Sequence, residues 1–184
     1  MSQIKLLNDE NSIWICTYSQ SCDVKSPLIP MHNVSAVINL HMEPKDSKTL
    51  EEYKKCNIAS FDFPIRDDPT KNILGPARHI FHKIDKYLQY GDVVVHCRAG
   101  VSRSPAAVTY YLVHKYNYSL HGAMSVIKKS RPYIDLNIGF WNTLYLDSVV
   151  WNWVKHLFSK MIGTNDDHSW KVSNLILAYI GNNY

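Results

Sequence analysis

Short apolar runs rich in β-branched residues alternate with stretches of three- and four-residue apolar spacing through the first two thirds of the chain. That is the pattern of strand–helix units feeding a largely parallel sheet. The runs at 13–16, 34–40 (VSAVINL), 58–63 and 92–96 (DVVVH) predict four strands, the last the most continuous. Between them lie a short helix near 49–55, a polar loop at 66–72 and a helix over 76–90. In that helix Ile80, Phe81, Ile84, Tyr87 and Leu88 recur on one face, Pro76 suits the first turn and Gly91 ends it.

From Ser104 onwards the pattern is helical. Residues 106–115 follow the fourth strand directly, and 119–129 opens on Ser119 as its cap. Beyond Arg131-Pro132, Trp141, Tyr145, Val149, Trp153, Leu157 and Met161 repeat at four-residue steps, and Phe140, Leu144, Val150 and Val154 broaden the stripe. This predicts one amphipathic helix over 139–162, closed by Gly163. Val172, Leu175, Ile176, Tyr179 and Ile180 suggest a final short helix after a polar turn. No repeat or linker divides the chain, so one domain over 1–150 with a helical extension over 151–184 is the simplest organisation. The extension packs back on the domain or makes a homodimer contact, leaving monomer and homodimer both open.

Composition narrows the class. The 184 residues are 46% apolar with 7 Gly, 8 Pro and 4 Cys, which excludes collagenous, disordered and disulfide-scaffold chains. The net charge of +4 is a mild bias towards anionic partners, and the basic residues are dispersed, which argues against a nucleic-acid partner. Lys5, Asp9 and Glu10 interrupt the N-terminal apolar residues, so no signal-peptide core and no membrane span is expected. Cys16, Cys22, Cys56 and Cys97 form no metal-type spacing with the nine His, so neither a metal nor another cofactor is expected. The expected setting is the reduced cytoplasm, or the nucleus.

The chemistry concentrates in His96-Cys97-Arg98-Ala99-Gly100-Val101-Ser102-Arg103-Ser104, between a buried strand and a helix. Such a loop turns its backbone N–H groups towards one point, where the helix adds its own free amides and the positive end of its dipole. A phosphate dianion fits there, held by the amides from Arg98 to Arg103. Gly100 allows the backbone turn, and the planar fork of Arg103 can take two oxygens at once. A thiol at the base of these donors ionises readily, which makes Cys97 the nucleophile. The Ser104 hydroxyl is placed to stabilise that sulfur. His96 reads as an orienter of the loop, since a thiolate already formed needs no base.

His-Cys, five residues, Arg-Ser resembles the signature loop of the cysteine-based protein tyrosine phosphatase superfamily, and HCRAGVSRSP is similar to its small dual-specificity branch. The segment FPIRDDPTKNI resembles that branch's general-acid loop, with Asp67 thirty residues before Cys97 and Asn72 five residues after Asp67. SLHGAMSVIKKSRPYIDLNIGFWNTL resembles the helix, Arg-Pro turn and asparagine-glycine-phenylalanine segment that follow the loop. The resemblance covers residues 10–150. It implies an α/β fold with a central, mostly parallel sheet of four to five strands flanked by helices. It also implies a two-step mechanism in which Cys97 attacks phosphorus while Asp67 protonates the departing oxygen, and Asp67 then activates water. Asp68 is the rival for the acid role; the spacing to Asn72 favours Asp67.

A chain this short lacks room for the insertions that build a deep phosphotyrosine slot. The expected substrate is therefore a phosphorylated protein carrying phosphotyrosine, phosphoserine or phosphothreonine. Arg98 reads equally as a rim cation or as an exposed charge. A phosphoinositide phosphatase would be expected to carry lysines inside the loop, and an RNA 5′-triphosphatase a clustered basic stripe. A binding module without catalysis would be expected to show damage at Cys97 or Arg103.

Overall fold

The computed structural model describes residues 1–5, 11–22 and 33–162. Five strands form one sheet in the order β1-β2-β5-β3-β4: β1 (Ser2–Lys5), β2 (Ser12–Thr17), β3 (Val34–Asn39), β4 (Ala59–Asp62) and β5 (Asp92–Cys97). The four predicted strands are all present and mutually parallel, whereas β1 is an added antiparallel edge paired with β2. Four residues reading Ser-Gln-Ile-Lys carry too little apolar alternation to announce a strand, and pairing with β2 makes it one.

β5 lies between β2 and β3 and is buried at all six positions, which explains its continuous apolar run. Side chains of alternate residues enter two cores. Ile13, Ile15, Ala36, Ile38, Val93, Val95 and Cys97 face the larger one. Trp14, Cys16, Val37 and Val94 face a smaller one closed by Tyr53 of α2 (Ser47–Lys55). Each buried Val or Ile contributes about 1.5–3 kcal/mol. At the entrance of β5 the buried Asp92 carboxylate is fully engaged, accepting from the Ser12 amide and Trp14 Nε1, both at 2.7 Å.

The helices are α1 (Tyr18–Cys22), α2, α3 (Leu74–Tyr87), α4 (Arg103–Tyr116), α5 (Leu120–Ser130) and α6 (Ile138–Ile162). Ser119 caps α5 through the Gly122 amide, as expected. α3 starts two residues earlier and ends three residues earlier than its periodicity predicts; Gly91 is required instead by a close approach, since a Cβ there would stand 2.2 Å from the Asn33 carbonyl oxygen.

The long helix forms as predicted, but its buried face differs. Phe140, Leu144, Ser148 and Trp151 are buried, while Tyr145, Val149 and Trp153 of the four-residue series are exposed, Trp153 by 62%. A helix apolar nearly all round carries no periodic signal for which side faces the domain. The predicted helix beyond Thr164 lies outside the described residues.

Candidate active site

β5 ends at Cys97 and α4 begins at Arg103, so the five intervening residues bridge the carboxyl end of the central strand to a helix N-terminus. All five carbonyls of this loop are held from outside. Arg98 O accepts from the Tyr18 amide (3.1 Å), Ala99 O from Arg131 Nη2 (2.8 Å) and Gly100 O from Arg131 Nε (2.6 Å). Val101 O accepts from the Asp135 amide (2.9 Å) and Ser102 O from the Ala106 amide (2.9 Å). A trans peptide points its N–H opposite to its C=O. Five outward carbonyls therefore turn the amides of Ala99, Gly100, Val101, Ser102 and Arg103 towards the inside of the loop. Gly100 carries the one positive φ in the loop, +66°. A Cβ there would meet Arg131 Nη2 at 2.6 Å and the Cys16 carbonyl at 2.8 Å.

The Cys97 thiol sits at the floor, 1% exposed. Its Sγ accepts from the Gly100 amide at 3.3 Å and lies 3.3 Å from Ser104 Oγ, which puts that hydroxyl beside the sulfur. Arg103 is buried; its Nη1 donates to the carbonyls of Ile65 (3.0 Å) and Leu40 (3.4 Å), which anchors the guanidinium beside the loop. His96 is fully buried, and burial, reinforced by the charge of Lys45, holds its pKa well below the usual imidazole value. Among the described residues neither of its ring nitrogens meets a hydrogen-bond partner, so no bond from the ring to the loop accompanies the orienting role expected of it. Arg98 projects its side chain into solvent and contributes a backbone carbonyl to the loop's framework.

The two adjacent aspartates separate cleanly. Asp67 Oδ2 stands 3.4 Å from Arg103 Nε, and its Oδ1 accepts from Ser102 Oγ and Asn137 Nδ2, both at 2.7 Å. Asp68 instead closes its own turn, accepting from the Thr70 amide and hydroxyl at 2.8 Å, and these bonds lower its pKa. Asn72 accepts from the Leu74 amide and so starts α3. Asp67 alone of the pair faces the loop between Cys97 and Arg103.

Four contributions were not assigned from sequence. Ser102 acts through its hydroxyl as well as its amide. Asn137 caps α6 by accepting from the Phe140 amide (2.9 Å), which leaves its NH2 free for Asp67. Gly139 lets the acid loop come close, because a Cβ there would stand 1.9 Å from the Pro69 carbonyl oxygen. Arg131 is 2% exposed and grips the loop from behind. Asn137 carried a local signal, a cap-type residue three positions before the apolar Phe140 at a helix start, while Arg131 and Gly139 were marked only by lying in the Arg-Pro turn and the asparagine-glycine-phenylalanine segment that resemble the family.

Residues 13–148 match the model of the family described as "Dual specificity phosphatase, catalytic domain". Dual specificity protein phosphatase 19 of Mus musculus is 32% identical over 132 residues, covering 71% of this chain and 57% of that protein. Dual specificity protein phosphatase 14 of the same species is 33% identical over 118 residues, covering 64% and 57%. This chain thus spans little more than half the length of those relatives. Among solved structures, the human tyrosine phosphatase-like serine/threonine/tyrosine-interacting protein superposes with a TM-score of 0.68 at 24% identity, covering 82% of this chain and 97% of that one. The Yvh1 phosphatase domain from Chaetomium thermophilum gives 0.67 at 22%, covering 79% and 94%. With the family model matched over residues 13–148 and small dual specificity phosphatases among its relatives, the chain belongs to the dual specificity phosphatase catalytic-domain family, in its small, atypical branch.

Proposed function

We propose that this chain is a protein phosphatase that hydrolyses phosphotyrosine, phosphoserine and phosphothreonine monoesters through a phosphocysteine intermediate. The observation that carries the reading is the Cys97 thiol at the floor of a loop with five outward carbonyls, with Asp67 held at the loop's Arg103. The inward amides and Arg103 bind the three non-bridging phosphoryl oxygens, where charge accumulates in the transition state. Cys97 Sγ, as thiolate, forms a bond to phosphorus as the ester oxygen departs with the proton of Asp67. The Asp67 carboxylate then takes a proton from water while the water oxygen attacks phosphorus and Sγ leaves, stabilised by Ser104 Oγ. Phosphate monoester and water become alcohol and phosphate, and the enzyme regains its thiolate and protonated Asp67.

The exposed apolar side of α6 supports a role for the rest of the extension. Tyr145, Leu146, Val149, Val150, Trp153 and Leu157 are uncovered, and Val172, Leu175, Ile176, Tyr179 and Ile180 form a matching stripe in sequence. Residues 151–184 act as a C-terminal extension whose part beyond Ile162 covers this face, giving a monomer; a homodimer through the same helices is the other arrangement. No helix among the described residues is long and apolar enough to cross a membrane.

Turnover of phosphotyrosine peptide, phosphothreonine peptide, inositide and triphosphate-ended RNA tests the function. Hydrolysis of both peptides, abolished in Cys97→Ser, is expected. Hydrolysis of the inositide or RNA alone would replace this reading with one of those activities.

A further inference from the structure

Three of the five outward loop carbonyls are held by backbone amides, which come with the fold. The other two, Ala99 O and Gly100 O, depend on one side chain, the Arg131 guanidinium. These two peptides control the direction of the Gly100 and Val101 amides. They also flank the glycine at φ +66°, where the chain resists a peptide flip least.

Arg131 is itself held. Its Nη1 donates to Ser2 Oγ of β1 at 3.2 Å, and its guanidinium lies 4.7 Å from the Tyr133 ring centroid. β1 falls outside residues 13–148, so the brace behind the loop includes a strand the family match does not cover.

We propose that Arg131 is a positioning residue that locks the Gly100 and Val101 amides towards the phosphate, and that β1, through Ser2, steadies it. Arg131 contacts no reacting atom. The proposal rests on the phosphatase reading of the loop.

The probe is inorganic vanadate, whose inhibition constant is measured with kcat, KM and thermal midpoint for wild type, Arg131→Lys, Arg131→Ala and Ser2→Ala. An ammonium cannot span both carbonyls in the guanidinium's fork geometry, so Arg131→Lys is expected to weaken vanadate binding and raise KM about tenfold. Arg131→Ala is expected to lose about a hundredfold, with partial recovery on adding guanidinium. Ser2→Ala is expected to move the same constants by about two- to threefold at an unchanged thermal midpoint. A folded Arg131→Lys that binds vanadate as wild type does overturns the proposal, as does a lowered midpoint with unchanged vanadate affinity. If Arg131→Ala does not fold, Arg131→Lys and Ser2→Ala decide by the same criterion. A wild type that binds no vanadate sinks the phosphatase reading and the clamp together, whereas tight wild-type binding with unaltered variants sinks the clamp alone.

Discussion

Ser102 of the loop after Cys97 donates its hydroxyl to Asp67 Oδ1 at 2.7 Å, so the loop proposed to hold the phosphate also orients the proposed acid. Asn137 Nδ2 reaches the same oxygen at the same distance from the start of α6. Both bonds fall on Oδ1, which leaves Oδ2 as the oxygen nearest Arg103.

Asp67→Ala should therefore lower kcat by about 10²–10³ on alkyl phosphates, whose leaving group needs a proton, and much less on p-nitrophenyl phosphate. Asn137→Ala should give the same leaving-group dependence at about a tenfold loss. Asp68→Ala should stay within about twofold of wild type, because its carboxylate serves its own turn. Rates on a leaving-group series check all three; a steep dependence moved to Asp68→Ala would reassign the acid.

Gly139→Ala tests how the acid loop is seated. The added methyl collides with the Pro69 carbonyl, so the loop must retreat from α6 and carry Asp67 with it. The expected outcome is the leaving-group signature of Asp67 loss, with about 1–3 kcal/mol of overpacking cost in denaturant unfolding. A wild-type leaving-group dependence would show that the loop reaches its place without this close approach.

Much of this was legible in the sequence, for reasons specific to each part. Val93, Val94 and Val95 announce a central strand because it is covered on both faces. Cys97, Arg103 and Ser104 are legible because one short loop and one helix start hold them together. Arg131 and Ser2 are separated by 129 positions, and no local pattern brings them together. The face of α6 was illegible for a different reason: apolar residues surround it, so only packing against α4 and α5 selects Phe140, Leu144 and Trp151.

The sheet separates two thiols that a redox account would join. Cys97 faces the larger core and Cys16 the smaller, and burial pushes the Cys16 thiol up to about 12. Mild peroxide should produce no Cys16–Cys97 disulfide, and non-reducing peptide mapping checks this. Recovery of that bridge in folded protein would contradict the two-faced arrangement.

Stability should fall in mild acid. His96 is held neutral in the fold by burial, while in the unfolded chain it takes a proton as pH drops through about 6.5. The unfolded state then binds more protons, so stability present above that pH is lost below it, at up to about 1.4 kcal/mol per pH unit. His96→Asn should flatten the denaturant midpoint between pH 7.5 and 5.5. An equally steep decline in that variant would assign the effect to other groups.

The covered-face reading of α6 predicts a monomer by light scattering. Truncation after Ile162 should then expose the apolar side and raise dye binding or self-association. A full-length dimer that Trp153→Glu converts to monomer would favour the homodimer instead.

The most direct measurement is acid-quenched capture of the phosphoenzyme from a radiolabelled phosphotyrosine peptide. Ser104→Ala should slow departure of the sulfur, so that label accumulates on the peptide containing Cys97 and a product burst precedes slow turnover. Turnover with no label on Cys97, or label that persists in Cys97→Ser, would contradict the mechanism.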